Sequence, residues 1–113
     1  MVKQQPAPLD RIFGALADPT RRALLARLEA EDGLSVSELA RPLTISLPAV
    51  MKHLDVLEGA GLVARRKTGR TVACRLTAAP MEDAMAWLSR YQRFWTESLD
   101  RLAAVVEEQE QTS

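Results

Sequence analysis

The sequence predicts one mainly α-helical domain with a small β-hairpin, and three observations support this fold class. The chain has 113 residues, which is enough for one hydrophobic core but not comfortably for two. Apolar residues make up 47% of the chain, and they recur at helical spacing through most of it. In residues 62–77 the period changes to two, with Gly69 between two strand-like runs, which is typical of a hairpin.

Two helices are predicted in the first part of the chain. The stretch LDRIFGAL, residues 9–16, spaces its apolar side chains as one helix face. Asp18 followed by Pro19 predicts the start of a second helix, because aspartate is a favoured N-cap and proline is tolerated in the first helical turn. Gly33 is predicted to end that helix.

A short helix, a tight turn and a longer helix are predicted next. Ser37 is the expected cap of the short helix, and Pro42 limits its length. After the turn, Ser46 as N-cap and Pro48 in the first turn predict a helix over residues 47–60. This helix carries one apolar stripe, which is expected to face the core: Val50, Leu54 and Leu57.

The last third of the chain, from Pro80 to about Glu108, is predicted to form one long helix with two apolar sides. One side approximates a heptad seam and the other is aromatic. A helix that is apolar on two sides needs two partners, so one side is expected to pack on its own domain and the other on a second subunit. The seam consists of Met81, Met85, Leu88, Trp95, Leu99, Leu102 and Val106, and the aromatic side of Ala84, Trp87, Tyr91 and Phe94.

The ends of the chain are predicted to lie outside this domain. Residues 1–8 are expected to be a flexible segment, residues 9–108 the folded domain, and residues 109–113 a flexible polar tail. The first residues lack the apolar run of a signal peptide, and no stretch of about 20 apolar residues suits a membrane. A single cysteine, Cys74, excludes an internal disulfide and fits a reducing cytoplasm, which is the predicted location.

The charge distribution favours a nucleic-acid partner although the formal net charge is zero. Residues 41–76 contain seven Lys/Arg and two Asp/Glu, a local charge of +5. Residues 1–40 sum to −1 and residues 77–113 to −4. A phosphate backbone responds to the local field, so the basic central third is the expected contact region.

The order of elements predicts a winged helix-turn-helix domain, because a short helix, a turn and a helix are followed by a basic hairpin. The second of those helices is about 10–12 Å across, which fits the major groove of B-DNA. Its first turn has free backbone N–H groups that suit a phosphate. Basic residues at the hairpin tip can reach the flanking backbone or the minor groove.

Three stretches of this sequence resemble the ArsR/SmtB family of bacterial winged-helix repressors: FGALADPTRRALLARL, LSVSELA and ISLPAVMKHLDVLEGAGLVARRKTGRTVACRLT. The resemblance covers residues 9–106, and the motif LADPTRRALL is specific to the family. It implies a homodimer that is joined through its terminal helices. It also implies binding to a double-stranded DNA operator of two inverted half-sites and repression of transcription.

The chain departs from the metal sensors of that family, which typically carry cysteines in the short helix, or Asp and His on the last helix. Here the short helix contains ELARPL and the last helix contains no histidine. Two soft-ligand candidates remain, His53 and Cys74, and these are too few for a tight tetrahedral site without further ligands from a partner chain. We therefore expect no metal site and no cofactor, and a place in a subgroup that lacks the metal-sensing cysteines.

Ten residues are predicted to contact DNA. In the second helix of the helix-turn-helix, Leu47 and Met51 present an apolar surface for which thymine methyl groups are natural partners. For the basic hairpin residues the alternative is a solvated tip, and for His53 it is a packed or hydrogen-bonded interior position. The predicted set is Ser46, Leu47, Pro48, Met51, Lys52, His53, Arg65, Arg66, Lys67 and Arg70.

The predicted dimer interface combines the first and last helices. An alternative role for the aromatic side of the last helix is a site for a small apolar effector. Cys74 is expected on the inward face of the hairpin as a buried thiol, rather than as a redox sensor. The sequence allows two roles for Arg21 and Arg22, which are surface ion pairing and phosphate contact. The predicted interface residues are Leu9, Ile12, Phe13, Leu88, Trp95, Leu99, Leu102 and Val106.

Two other functional classes compete with a DNA-binding regulator. The zero net charge and the acidic last third also allow a winged-helix module that binds protein instead of DNA. An enzyme is disfavoured, because the chain has one His, one Cys and no paired acids around a glycine-rich loop.

Overall fold

The computed structural model describes residues 8–112, apart from the side chain of Thr112. This part of the chain forms six helices and a three-stranded antiparallel sheet, which confirms the predicted fold class. The helices are α1 (Pro8–Leu16), α2 (Pro19–Ala30), α3 (Val36–Ala40), α4 (Leu47–Gly59), α5 (Ala79–Ser89) and α6 (Gln92–Thr112). The strands are β1 (Leu34–Ser35), β2 (Val63–Thr68) and β3 (Thr71–Leu76), and their order in the sheet is β1–β3–β2.

The hydrophobic core lies between α2, α3, α4 and the sheet. The predicted apolar stripe of α4, which is Val50, Leu54 and Leu57, is fully buried in it. The sheet contributes Leu34 of β1 and Cys74 of β3 to this core, and both are buried. Truncating a buried leucine to alanine typically costs about 2–5 kcal/mol, so this stripe holds α4 firmly in the domain.

The predicted N-cap of α2 is confirmed, whereas the predicted N-cap of α3 is wrong. The Asp18 carboxylate accepts a hydrogen bond from the backbone N–H of Arg21 at 3.0 Å. In α3 the cap is Ser35 and not Ser37. The Ser35 hydroxyl accepts from the Glu38 N–H, and the Glu38 carboxylate accepts from the Ser35 N–H, each at 3.1 Å. These reciprocal bonds need Ser and Glu three positions apart, and Ser37 lies inside the first turn.

A short strand that the sequence did not predict, β1, precedes α3. It pairs with β3 through its two residues, Leu34 and Ser35. Two residues are too few to show an alternating pattern, so only the pairing in space reveals this strand. The preceding helix also ends earlier than predicted, at Ala30, and Gly33 lies with a φ of +78° in the turn that leads into β1.

The predicted hairpin is confirmed as β2 and β3, and we call it the wing. Its strands pair from Val63 opposite Leu76 to Thr68 opposite Thr71. The two-residue turn between the strands begins with Gly69, whose φ of +62° is strained for a residue with a side chain.

The prediction of a single terminal helix is wrong, because the helix is interrupted at residues 90 and 91, between α5 and α6. At this interruption the N–H of Arg90 donates to the carbonyl of Trp87 at 3.3 Å. The N–H of Tyr91 donates to the carbonyl of Leu88 at 3.0 Å. Such tight bonds over three residues are common at helix ends. The sequence has neither glycine nor proline here, so it carries no helix-breaking signal.

The structure describes most of the C-terminal end of the chain but not the first seven residues. α6 continues to Thr112, so it includes most of the predicted flexible tail at residues 109–113. All of residues 92–111 are exposed, which means that α6 does not bury its apolar stripe in its own chain. Residues 1–7, most of the predicted N-terminal segment, lie outside the described residues.

The predicted interface residues divide between the core of the protomer and its surface. Ile12 does not lie on the surface, because it is 1% exposed and packs inside its own protomer. Leu9 is half-buried, and Phe13 packs edge-on against Trp87 with ring centroids 5.6 Å apart, which connects α1 to α5. The residues that are exposed are Leu88, Trp95, Leu99, Leu102 and Val106.

Candidate nucleic-acid interface

The start of α4 is built as the sequence predicts. Ser46 has an extended backbone and its hydroxyl accepts a hydrogen bond from the Ala49 N–H at 3.3 Å, which makes it the N-cap. Pro48 follows in the first turn, where its missing N–H costs nothing. A capping hydroxyl still has its own hydrogen to donate, so Ser46 can bond a phosphate or a base.

The outer face of α4 is apolar at its start. Leu47 is 49% exposed and Met51 is 37% exposed, although the opposite side of the helix is fully buried. Pro48 and Lys52 are exposed beside them. A contiguous apolar surface of this kind marks an interaction site more often than scattered apolar residues do.

A notch of about 310 Å³ joins α4 to the wing and to the start of α3. Its walls include Leu47 and Met51 from α4 and Arg70 from the wing. The structure thus brings predicted residues of the helix and of the wing onto one concave surface. Ser37 also lines this notch and is exposed, a position that sequence reasoning missed because it assigned the hydroxyl to a cap.

The outer part of the wing carries three exposed cations, Arg66, Lys67 and Arg70. Arg66 lies opposite Ala73 in the sheet, Lys67 lies opposite Val72, and Arg70 occupies the turn. None of the three cations forms an ion pair with a residue in the described part of the chain. Their charge is therefore available to a phosphate backbone.

Arg65 does not belong to this exposed group, which corrects its predicted place at the hairpin tip. Its side chain is only 15% exposed and donates to Asp55 at 2.6 Å and to Glu58 at 2.9 Å, both on α4. The hydrogen bonds from Arg65 hold the pKa of Glu58 below its usual range. Strand alternation was the signal for this position, because Arg65 comes two residues after the buried Val63 and shares its face.

His53 occupies a hydrogen-bonded position, which is one of its two predicted alternatives. Its Nδ1 atom lies 3.3 Å from a guanidinium nitrogen of Arg21 and 3.9 Å from a carboxylate oxygen of Asp18. The ring is half-buried where α4 meets the start of α2. These contacts tie His53 to its own domain, so we leave it out of the proposed DNA contacts.

Arg21 and Arg22, whose role the sequence left open, bind the end of α1. Arg21 donates to the carbonyl of Ala15 at 2.8 Å and to that of Gly14 at 3.1 Å. Arg22 donates to the carbonyl of Leu16 at 2.7 Å. The last carbonyls of a helix lack helical partners, and cations near this end suit the helix dipole. Both arginines therefore serve the packing of α2 on α1.

The remaining side chains of metal-ligand type lie apart in the part of the chain that the structure describes. Cys74 has the predicted buried position, and burial raises the pKa of its thiol, which disfavours the reactive thiolate. Among residues 8–112, no group of three or more His, Cys, Asp or Glu side chains is arranged to hold a metal ion. Within the same residues, no helix combines the length and the apolar character needed to cross a membrane.

Comparison with known proteins identifies the family. A family model described as a helix-turn-helix domain matches residues 16–66. The HTH-type transcriptional regulator Rv2034 of Mycobacterium tuberculosis is 42% identical over 98 residues, which cover 87% of this chain and 88% of that protein. The crystal structure of an ArsR family transcriptional regulator, RHA00566, has 43% sequence identity and a TM-score of 0.73, and the match covers 84% of this chain and 97% of that chain. This chain belongs to the ArsR/SmtB family.

As a member of the ArsR/SmtB family, the chain is a DNA-binding transcriptional regulator and not an enzyme. A further relative, the transcriptional repressor SdpR of Bacillus subtilis, is 26% identical over 83 residues, which cover 74% of this chain and 91% of that protein. In this ArsR/SmtB-family regulator α3 and α4 form the helix-turn-helix, and β2 and β3 form the wing. We therefore call α4 the recognition helix.

Proposed function

We propose that this regulator acts as a homodimer that binds, in a sequence-specific manner, an operator of two inverted half-sites and represses transcription without a metal-sensing site. The observation that carries the proposal is the concave surface on which the exposed start of the recognition helix meets Arg70 of the wing, whose cations Arg66 and Lys67 are also exposed. Both kinds of side chain are needed, because phosphate contacts position a protein on DNA and base contacts specify the sequence.

The proposed DNA contacts divide between the recognition helix and the wing. Leu47 and Met51 meet thymine methyl groups in the major groove, and Ser46 bonds a phosphate or a base. Lys52 and the wing cations contact phosphates. The proposed set is Ser46, Leu47, Pro48, Met51, Lys52, Arg66, Lys67 and Arg70, without His53 and Arg65.

The proposed dimer seam is the apolar stripe of α6. Trp95, Leu99 and Leu102 are 71%, 62% and 60% exposed. A contiguous apolar row on a helix that its own chain leaves uncovered favours burial against a second copy. The two-fold symmetry of such a dimer would separate the recognition helices by about 34–36 Å, which is one turn of DNA.

An open groove where α5 ends and α6 begins is the proposed position for a small apolar effector. The groove has a volume of about 480 Å³. Because Trp95 belongs both to the groove and to the proposed dimer seam, an effector there would lie beside the second subunit. The groove is lined by Met85, Leu88, Ser89, Tyr91, Gln92 and Trp95.

A salt titration of DNA binding tests the proposed function. Four phosphate-binding cations in each protomer give eight in a dimer, so the logarithm of the affinity should fall against the logarithm of salt with a slope of about −7. The probe is the DNA upstream of the regulator's own gene, and a duplex of the same composition and scrambled sequence is the control. An affinity that is independent of salt, or equal for the two duplexes, would contradict the proposal.

A further inference from the structure

Arg65 connects the wing to the recognition helix through its side chain and its backbone. Its Nη2 atom donates to Asp55 Oδ1 at 2.6 Å and to Glu58 Oε1 at 2.9 Å. Its Nε atom donates to Glu58 Oε2 at 3.3 Å, and its backbone N–H donates to the same oxygen at 3.2 Å. One residue of β2 thus makes four hydrogen bonds to α4.

The position of Arg65 in the sheet explains why its side chain reaches α4. Arg65 pairs with Cys74 across the wing, and directly paired residues share one face of a sheet. Cys74 is fully buried, so this face of the wing packs on the domain. The neighbours Ala64 and Arg66 belong to the opposite face, where both are exposed.

The contacts of Arg65 also change the charge that DNA would meet. Asp55 and Glu58 lie on the second half of the recognition helix, where uncompensated carboxylates would repel a phosphate backbone. The guanidinium of Arg65 binds both of them, and its hydrogen bonds favour the ionised form of Glu58. An arginine shared between two carboxylates is poorly placed to bind a phosphate as well.

We propose that Arg65 is a positioning residue for DNA binding, which holds the wing against the recognition helix and touches no phosphate itself. It orients the wing so that Arg66, Lys67 and Arg70 reach DNA together with the start of α4. This inference rests on the proposed DNA-binding function. It separates Arg65 from Arg66, which has the same chemistry but lies on the opposite face of the strand.

The first test uses the free protein and no DNA. Arg65→Gln removes the charge, and the backbone amides of the wing should then exchange hydrogen about tenfold faster, whereas Arg66→Gln should leave their exchange unchanged. Unchanged exchange in Arg65→Gln would overturn the proposal. If exchange becomes faster but the wild-type protein binds no duplex, the wing contact is supported and the proposed function fails, so the two failures can be told apart.

The second test is a double-mutant cycle of DNA affinity on a duplex that the wild-type protein selects from a random pool. Arg65→Gln alone should weaken binding about tenfold, as expected for groups that act together. In an Arg66→Ala/Lys67→Ala/Arg70→Ala background, whose wing has lost all three proposed phosphate contacts, the same change should have almost no effect. Additive losses would identify Arg65 as a direct DNA contact and would overturn the proposal.

A third variant keeps Arg65 and removes its partners, which also covers the case that Arg65→Gln does not fold. Asp55→Asn/Glu58→Gln takes two negative charges from the recognition helix, so charge alone predicts tighter binding to DNA. If Arg65 acts by positioning, this variant should instead bind the selected duplex more weakly, because the wing is released. Tighter binding would overturn the proposal.

Discussion

At the residue scale, the arginines of α2 bind the ends of neighbouring helices. Arg27 donates to the carbonyl of Glu38 at 2.6 Å and to that of Leu39 at 3.1 Å, near the end of α3. Arg21 serves the end of α1 in the same way. A guanidinium group suits this task because its five donors can satisfy several carbonyls at once. These contacts hold α1 and α3 on α2 and thereby support the helix-turn-helix.

Ser35→Ala is expected to lower the free energy of unfolding by about 1 kcal/mol, which is the usual cost of losing an N-cap. Ser37→Ala is the matched control and should change it by less than about 0.5 kcal/mol, because Ser37 is exposed within the helix. Urea unfolding of the wild type and both variants measures the difference. An equal loss in the two variants would show that Ser35 is not the cap.

The loss in the free energy of unfolding that Ser35→Ala causes should also depend on pH. The backbone N–H of Ser35, followed by its hydroxyl, lowers the pKa of Glu38 below the ordinary glutamate value of about 4.3, and Ser35→Ala removes only the hydroxyl's share. A lowered carboxylate pKa stabilises the folded state above the ordinary value, and this contribution is lost as the pH falls through the folded value. Unfolding measured at neutral pH and in acid should therefore show that Ser35→Ala lowers the free energy of unfolding by less in acid than at neutral pH. If Ser35→Ala instead costs more free energy of unfolding in acid, the Ser35 hydroxyl does not stabilise ionised Glu38.

At the scale of secondary-structure elements, the recognition helix serves two surfaces. Its inner stripe packs in the core, while Leu47 and Met51 stay exposed at its outer start. Apolar side chains offer few hydrogen bonds to base edges. We therefore expect the recognition helix to distinguish sequences by thymine methyl groups and groove shape more than by donor–acceptor pairs.

Met51→Ala is expected to change sequence preference, whereas Arg70→Ala should weaken binding to all sequences alike. Loss of a methyl contact should cost about 1 kcal/mol per half-site on the preferred duplex and little on duplexes without that thymine. Loss of one phosphate contact in each half-site should reduce the salt slope by about 2. Binding to a panel of duplexes with single base changes measures both effects. A uniform loss with Met51→Ala would refute the proposed base contact.

At the scale of the whole molecule, the chain is more extended than a compact domain of its length. Its radius of gyration is 19.9 Å and its longest dimension is 68 Å. A compact chain of this length has a radius of gyration of about 13 Å. The 21 residues of α6 span about 31 Å, and residues 92–111 are all exposed. A second subunit along α6 would cover this surface, which is the physical reason for proposing a homodimer.

Leu102→Glu is expected to weaken the dimer by at least about a hundredfold, because it would bury a charge without a partner in an apolar seam. Ala104→Glu adds the same charge to α6 away from the stripe and should leave the dimer intact. Sedimentation over a range of protein concentrations measures both dissociation constants. If Leu102→Glu dimerises as tightly as the wild type, the seam lies elsewhere.

Local sequence signals were sufficient for most helices, for the wing and for the start of the recognition helix. Asp18 and Ser46 are the caps that their positions predict, and the apolar stripe of α4 is buried as its spacing predicts. Caps and helical periodicity depend on residues within a few positions of one another, so one sequence is enough to find them. The interruption after α5 could not be predicted in this way, because no glycine or proline marks it.

The sequence by itself determined the winged helix-turn-helix fold, the family and the basic central third of the chain. Only the tertiary structure decided which cations remain available to DNA. Arg65 and Arg66 are adjacent and chemically identical, yet one binds α4 and the other is exposed. The physical reason is that an ion pair between β2 and α4 forms only when packing brings the two elements together, and such a contact has no fixed spacing along the chain.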